Sequence, residues 1–307
     1  MTEKKNIIIE SDPGIDDATA LLYASKCENL NIMLLSCAGG NSPMENIVSN
    51  ALHIVEIFDM NVPVSQGSLT PLCRPSIYPI SAQGKSGFGG YIYNKKRLKL
   101  KPLDGESCDN IYKTLISTKE KTTILSIGPM TNIAKMLQKY PDAKKHIKEI
   151  VFMGGTKERI CGRPYKEFNI GYDPEAADVV LKSKIPLVMV PMELGHMAYL
   201  NFDEIKVIKK MNKTGKLLAK MYSEYHDFHV GDYGAAVHDP CAVFYLAHPE
   251  LIKTEKGFIE IKYYQENGEN FGYIDIDFEK KPNATICVDV DIDAFKSHLF
   301  EIISKCK

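Results

Sequence analysis

The sequence predicts an α/β fold, a mostly parallel central sheet with helices on both faces, plus a small antiparallel element near the C-terminus. Three observations carry this. Short apolar runs recur up to residue 192, too continuously apolar for a half-exposed hairpin and suited to strands covered on both faces. Segments of helical periodicity with their own start signals separate them, which is the alternation of βα units. Beyond about residue 200 the rhythm gives way to longer helices and one strongly alternating stretch.

In chain order, NIIIES (6–11), IMLLSCA (32–38), VPVSQ (62–66), TTILSIG (122–128), EIVFMGG (149–155) and IPLVMVPM (185–192) read as strands. In NSPMENIVSNALHIVEIF, Ser42 is the expected cap, Pro43 the first helical residue and Glu45 the partner in a capping box, with apolar Ile47, Leu52, Val55 and Ile57 following. DPEAADVVLKS repeats the device with Asp173 and Pro174, and PMTNIAKMLQKY opens a helix near Thr131. Residues 203–229 read as helical, and HDPCAVFYLAHPE (238–250) begins another helix. GFIEIKYYQENGENFGYIDIDF (257–278) alternates as antiparallel strands around Asn267-Gly268, and IDAFKSHLFEIISK closes the chain as an amphipathic helix. Segment 67–103, with Gly, Pro and basic residues and weak periodicity, is the candidate lid.

Composition narrows the function. With 307 residues and 44% apolar content the chain can bury a large core, and without a low-complexity linker or a fixed-period repeat residues 1–307 are expected to form a single domain. The 38 basic and 39 acidic residues leave no global field to attract nucleic acid or an anionic membrane, so a small molecule is the expected partner. Eight cysteines without a C-x-x-C pair point to a reduced compartment. No run approaches the roughly 18 apolar residues of a membrane span, so a cytoplasmic location is expected.

ESDPGIDDA (10–18) places Glu10, Asp12, Asp16 and Asp17 together, with no Lys or Arg between Lys5 and Lys26. Acids in a first helical turn favour the helix dipole, which accounts for Asp16 and Asp17 alone but not for Asp12 and Glu10 beside them. Carboxylates converging on one point repel unless a cation lies between them or some take up protons. An all-oxygen donor set without His or Cys favours a hard divalent ion, Ca²⁺ or Mg²⁺. The spacing is not that of an EF-hand, so the site would be assembled from several loops. Parallel sheets place chemistry at the carboxyl ends of their strands, where Asn41, Ser126 and Met153 occur. VHDPCAV adds His238 and Asp239, although Asp239-Pro240 alone reads equally as a cap and first helical residue.

ESDPGIDDA, GGN (39–41), SIGPMTNIA (126–134), FMGG (152–155), EFNIGYDPEAA (167–177) and HDPCAV (238–243) resemble, in that order, the motifs of the inosine/uridine-preferring nucleoside hydrolases. The resemblance extends to the terminal KPNATICVDVDIDAF and covers essentially the whole chain. It implies a Rossmann-like fold and Ca²⁺-dependent hydrolysis of the N-glycosidic bond of ribonucleosides to free base and ribose. By position, Asp12, Asp17, Asp239 and the backbone carbonyl of Ser126 would hold calcium, and Asp16 a ribose hydroxyl. Asn41, Glu167 and Asn169 would hold the sugar, Met153 would line its pocket, and His238 would lie beside the leaving base. Gln83 and Tyr233 come from the two segments expected to meet the base. The resemblance also implies a homodimer or homotetramer. Positive charge develops on the ribose as the bond breaks, so a carboxylate-rich pocket suits the reaction. Asp12 is the expected base toward water, and His238 or a tyrosine the group that assists the departing base. Tyr222, Tyr225 and Tyr233 read equally as stacking surface or core.

Four positions depart from the family pattern. Glu10 replaces the usual Asp and is expected to support the site. Ser126 replaces Thr, with little consequence for a carbonyl ligand. Gln83 replaces a frequent His and is no proton donor. Cys161 stands where an Asn commonly meets the 5'-hydroxyl, which predicts a weaker dependence on that group. Two rival readings are a phosphotransferase of the haloacid dehalogenase type, which needs a D-x-D nucleophile where this chain has Glu10, and a noncatalytic nucleoside or ribose sensor that kept the pocket.

Overall fold

The computed structural model describes residues 4–160, 162–223, 225, 230–266 and 268–307. Its main sheet has nine strands. The strands of the chain are β1 (Lys5–Ser11), β2 (Leu30–Cys37), β3 (Val64–Ser65), β4 (Thr122–Ser126), β5 (Ile147–Met153), β6 (Arg159–Ile160), β7 (Arg163–Pro164), β8 (Leu187–Val190), β9 (Leu200–Asn201), β10 (Gly234–Ala235), β11 (Ile252–Glu266), β12 (Glu269–Asp277) and β13 (Ala284–Val290). The sheet runs β12-β11-β13-β8-β5-β4-β1-β2-β3, and two short ribbons, β6-β7 and β9-β10, stand outside it. Pairing is parallel from β3 to β13 and antiparallel where β11 meets β13 and β12.

Strand alternation divides the core in two. Ile7, Ile9, Leu35, Leu125, Val151 and Val188 face one side, where the helices Ile15–Lys26, Met44–Ile57, His238–Ala247 and Ile292–Ser304 pack. Ile8, Leu34, Ile124, Ile150 and Phe152 face the other, against Ser107–Ile116, Thr131–Lys139 and Pro174–Leu181. This is why the runs lack polar alternation: both faces are covered. Among the described residues no helix is long and apolar enough to cross a membrane.

β1 pairs with β2 on one side and β4 on the other, so chain direction across the sheet reverses there and a crevice opens beyond the carboxyl ends of β1 and β4. Glu10 is opposite Ser126 in the β1/β4 register. The loops after the two strands therefore start side by side.

Several expected boundaries shift. The helix expected from Pro43 starts at Met44, because Pro43 is extended (φ −53°, ψ 142°), and no side chain caps it. Ser42 Oγ instead accepts from Asn46 Nδ2 at 2.9 Å. The helical stretch from 203 is two helices, Phe202–Met211 and Lys213–Tyr222, broken at extended Asn212, whose side chain accepts the Gly215 N–H at 2.9 Å. Gly215 permits that break, since a Cβ there would lie 2.0 Å from the Ile208 carbonyl oxygen. The expected antiparallel strands near the C-terminus are present and join the main sheet through β11. Asn267 of its turn lies outside the described residues, while Gly268 adopts φ +82°, which suits glycine. The expected caps at Asp173 and the opening at Thr131 are present.

Segment 67–103 contains the short helix Ile80–Gln83 and the 3₁₀ turn Lys95–Arg97. Its second half is fastened to the helix Met44–Ile57: Tyr93 Oη donates to Asn50 Oδ1 at 2.9 Å, and Glu56 Oε1 accepts the N–H groups of Lys99 and Leu100 at 2.6 and 2.8 Å.

Phe152 is fully buried near the carboxyl end of β5. Phe152→Ala is expected to lower the unfolding free energy by about 3–5 kcal/mol in urea titrations, with an unchanged denaturant slope. A loss below about 1 kcal/mol would mean that this core face is loosely packed.

Candidate active site

Four carboxylates come together at the switch point. Asp12 leaves the end of β1 and fits a slot between two glycines. A Cβ on Gly40 would lie 1.9 Å from Asp12 Oδ2, and one on Gly128 2.5 Å from Oδ1. The Asn41 N–H donates to Oδ2 at 2.8 Å, whereas Oδ1 is buried without a hydrogen-bond partner. Asp17, in the first turn of the helix Ile15–Lys26, accepts from Ser11 Oγ at 2.6 Å, Gly14 N at 2.9 Å and Asn41 Nδ2 at 3.2 Å. From the far side of the sequence, Asp239 in the helix His238–Ala247 directs its N–H to Asp16 Oδ2 at 3.5 Å. One carboxylate oxygen from each of Asp16, Asp17 and Asp239 lies within 4.8 Å of the others.

Electrostatics make this arrangement costly. Burial, then the charge of Asp17, pushes the Asp12 carboxyl well above the ordinary range. Burial and Asp16 push Asp17 up to about 7. Burial followed by Asp16, Asp17 and Asp12 raises Asp239 strongly. Buried like charges of this kind call for a cation, and the donor set consists of oxygens alone, the chemistry of hard divalent ions. The unpartnered Asp12 Oδ1 and the glycine slot that holds it fit such a group or a water beside it. The triad brought closest is Asp16, Asp17 and Asp239, so Asp16 joins the expected ligands Asp17 and Asp239, and Asp12 lies beside it.

Above the acids opens a cavity of about 350 Å³ lined by Asp16, Asn41, Gln83, Met153, Glu167, Asn169, His238 and Asp239 among others. Each of these expected positions therefore faces one space. Glu167 accepts the N–H groups of Gly155, Asn169 and Ile170 at 2.9, 2.8 and 3.0 Å, and although burial raises its carboxyl, these bonds oppose the rise. Asn169 Nδ2 is held by the carbonyl of Met153 at 3.2 Å. Gln83 Oε1 accepts the Ile15 N–H at 3.0 Å, satisfying an orphan donor at the start of that helix. His238 Nδ1 meets the Met192 carbonyl at 3.1 Å. Ser126 sits at the end of β4, its Oγ turned to the Gly128 carbonyl at 2.9 Å.

Other expected positions lie elsewhere. Tyr233 is 75% exposed in the 3₁₀ turn Gly231–Tyr233 and does not line the cavity; Tyr225 does, and Tyr222 is core, bonded to Thr19 Oγ1 at 2.8 Å. Glu10 points beneath the site, its carboxyl accepting from Ser36 Oγ and from Asn132 N at 3.3 Å, and burial raises it to about 8. Cys161 lies outside the described residues. Pro79, Tyr165, Phe168 and Met192 line the cavity without having been singled out. Phe168 stood inside the EFN motif, but Pro79 and Met192 carried no local signal.

The family model described as inosine-uridine preferring nucleoside hydrolase matches residues 7–297. The non-specific ribonucleoside hydrolase RihC of Salmonella enteritidis is 33% identical over 306 residues, covering 99% of both chains. Its namesake from Escherichia coli is 32% identical over 300 residues, 97% of this chain and 98% of the other. Among solved structures, the purine-preferring ribonucleoside hydrolase from Gardnerella vaginalis superposes with a TM-score of 0.87 at 27% identity, covering 98% of each chain. The plant nucleoside hydrolase PpNRh1 gives 0.85 at 26% identity over 98% of this chain and 99% of its own. With a match that takes in the acidic first loop, the strands and HDPCAV alike, the chain belongs to the inosine-uridine preferring nucleoside hydrolase family and is a nucleoside hydrolase acting on ribonucleosides.

Proposed function

We propose that the chain hydrolyses the N-glycosidic bond of ribonucleosides in a calcium-dependent reaction, with Asp12 as the base toward water and His238 beside the departing base. The observation that carries the reading is the buried, unpartnered Oδ1 of Asp12 next to the triad of Asp16, Asp17 and Asp239. When bound, calcium would offset the carboxylates and order sugar hydroxyls. Asp12, Asp17 and Asp239, with the Ser126 carbonyl, would hold it, and Asp16 is placed to share that role or to meet a ribose hydroxyl. Asn41, Glu167 and Asn169 orient the sugar, and Met153 packs beneath it. Tyr225 takes the place at the cavity wall expected of Tyr233, and Gln83 lines the same cavity.

The atoms balance simply. The C1'–N bond breaks with its electron pair going to the base nitrogen, and a water oxygen bonds C1'. The water's proton goes to Asp12 Oδ1, and His238 supplies one to the base or stabilises its charge by a hydrogen bond. Negative charge around the sugar stabilises the cationic character that develops on the ribose ring. The names of the Salmonella and Escherichia relatives, non-specific ribonucleoside hydrolases, support a broad range of ribonucleosides. The unbroken sequence pattern supports a single domain, the scattered cysteines a cytoplasmic location, and the family resemblance a homodimer or homotetramer.

Release of reducing sugar from inosine and uridine tests the reading. Chelation should abolish release and added calcium restore it. Asp12→Asn should lower kcat by roughly 10²- to 10⁴-fold, and His238→Ala by about 10²-fold with KM little changed. Nucleoside binding without sugar release would instead establish a noncatalytic receptor.

The raised carboxyls also set a pH dependence. Asp17 titrates near 7 in the fold against an ordinary value of 3.8, so the folded state binds more protons than the unfolded state between those values. The chelated protein should therefore be most stable at low pH and lose stability as pH rises from about 4 to 7. Thermal melts should show calcium raising Tm strongly at pH 8 and weakly at pH 5. An equal shift at both pH values would contradict the assignment.

A further inference from the structure

We propose that Gly195 is a positioning residue for His238: lacking a side chain, it lets the imidazole seat against the helix Met192–Met197, which commits Nδ1 to that helix and leaves Nε2 as the ring nitrogen that serves the cavity. The inference rests on the assignment of His238 to the departing base. A Cβ at 195 would lie 2.3 Å from His238 Nδ1, 2.8 Å from Cγ and 2.6 Å from Cα. The last of these is backbone, so the conflict cannot be relieved by a rotamer change. Two bonds dock the segments together: Val237 N–H to the Gly195 carbonyl at 3.4 Å, and His238 Nδ1 to the Met192 carbonyl at 3.1 Å. A carbonyl oxygen only accepts, so Nδ1 carries the hydrogen and the neutral ring is the Nδ1–H tautomer. In that form Nε2 accepts hydrogen bonds, and only the doubly protonated ring donates through it. His196 packs edge-on against the same ring, with centroids 4.8 Å apart at 75°, and its Nδ1 lies 3.8 Å from Glu158 Oε1. Glycine within a helix is unfavourable by about 1 kcal/mol relative to alanine, so the choice at 195 follows the space requirement rather than helix formation.

Two measurements test this. In ¹⁵N-histidine NMR spectra of the intact protein at a pH where His238 is neutral, identified by comparison with His238→Ala, the ring should show a protonated Nδ1 and a bare Nε2; the reverse tautomer overturns the inference and needs no folded variant. Gly195→Ala should lower kcat for inosine and uridine by about 100-fold, because their bases leave poorly without assistance. KM, and turnover of 4-nitrophenyl β-D-ribofuranoside, whose phenolate departs unassisted, should stay within about threefold. Equal losses on both substrate types, or no loss on either, would overturn the role of Gly195. A His238→Ala variant without the selective loss would instead remove the His238 assignment, whereas a selective His238→Ala beside an unselective Gly195→Ala would sink the Gly195 inference alone.

Discussion

Burial of like charge at one point constrains everything around it. Asp12, Asp16, Asp17 and Asp239 are each at most 5% exposed, and burial first, then the neighbouring charges, raises the carboxyls of Asp12, Asp17 and Asp239. The chain answers with donors: the Asn41 main chain, the Gly14 main chain and the Ser11 hydroxyl each direct a hydrogen to one of these oxygens. The glycines at 40 and 128 exist in the same context, since any side chain there would strike Asp12. The oxygen that these donors leave without a partner, Asp12 Oδ1, is the one that takes the water's proton in the proposed reaction.

The fold makes that convergence possible. Because β1 lies between β2 and β4, loops from distant sequence positions start at the same edge of the sheet. Below them, Glu10 joins β1 to Ser36 of β2 and to the main chain of Asn132, and Ser36 continues to Ser107 at 2.6 Å. Asn132 also holds the Cys37 carbonyl at 3.0 Å. This polar layer fixes the relative height of the strands whose ends carry the acids, and Glu10 reaches it without entering the side where Asp12, Asp16, Asp17 and Asp239 meet. The cavity above is closed by elements with independent anchors, among them Gln83 against the start of the first helix and Glu167 capping Phe168–Tyr172.

Much of this was legible in the sequence because the signals are local. Apolar runs marked the strands, Asp173-Pro174 marked a helix start, and the crowding of Asp12, Asp16 and Asp17 marked the site. His238 and Asp239 became informative only beside that first loop. What stayed hidden depends on tertiary geometry. Nothing local distinguishes Tyr225, which lines the cavity, from Tyr233, which projects into solvent. The break at Asn212 follows from the close approach of Gly215 to Ile208, a contact between two helices. The orientation of Glu10 away from the other acids could not be read from four carboxylates in a row of nine residues. Nor does MELGHM announce that its glycine abuts a histidine from another element.

In the proposed reaction these carboxylates give up protons to bind one divalent ion. Titration calorimetry of the chelator-treated protein with calcium, repeated near pH 6.5 in buffers of different ionisation enthalpy, measures this directly. One saturable site per chain and a net release of protons to the buffer are expected. No saturable binding, or binding without proton release, would contradict the proposal.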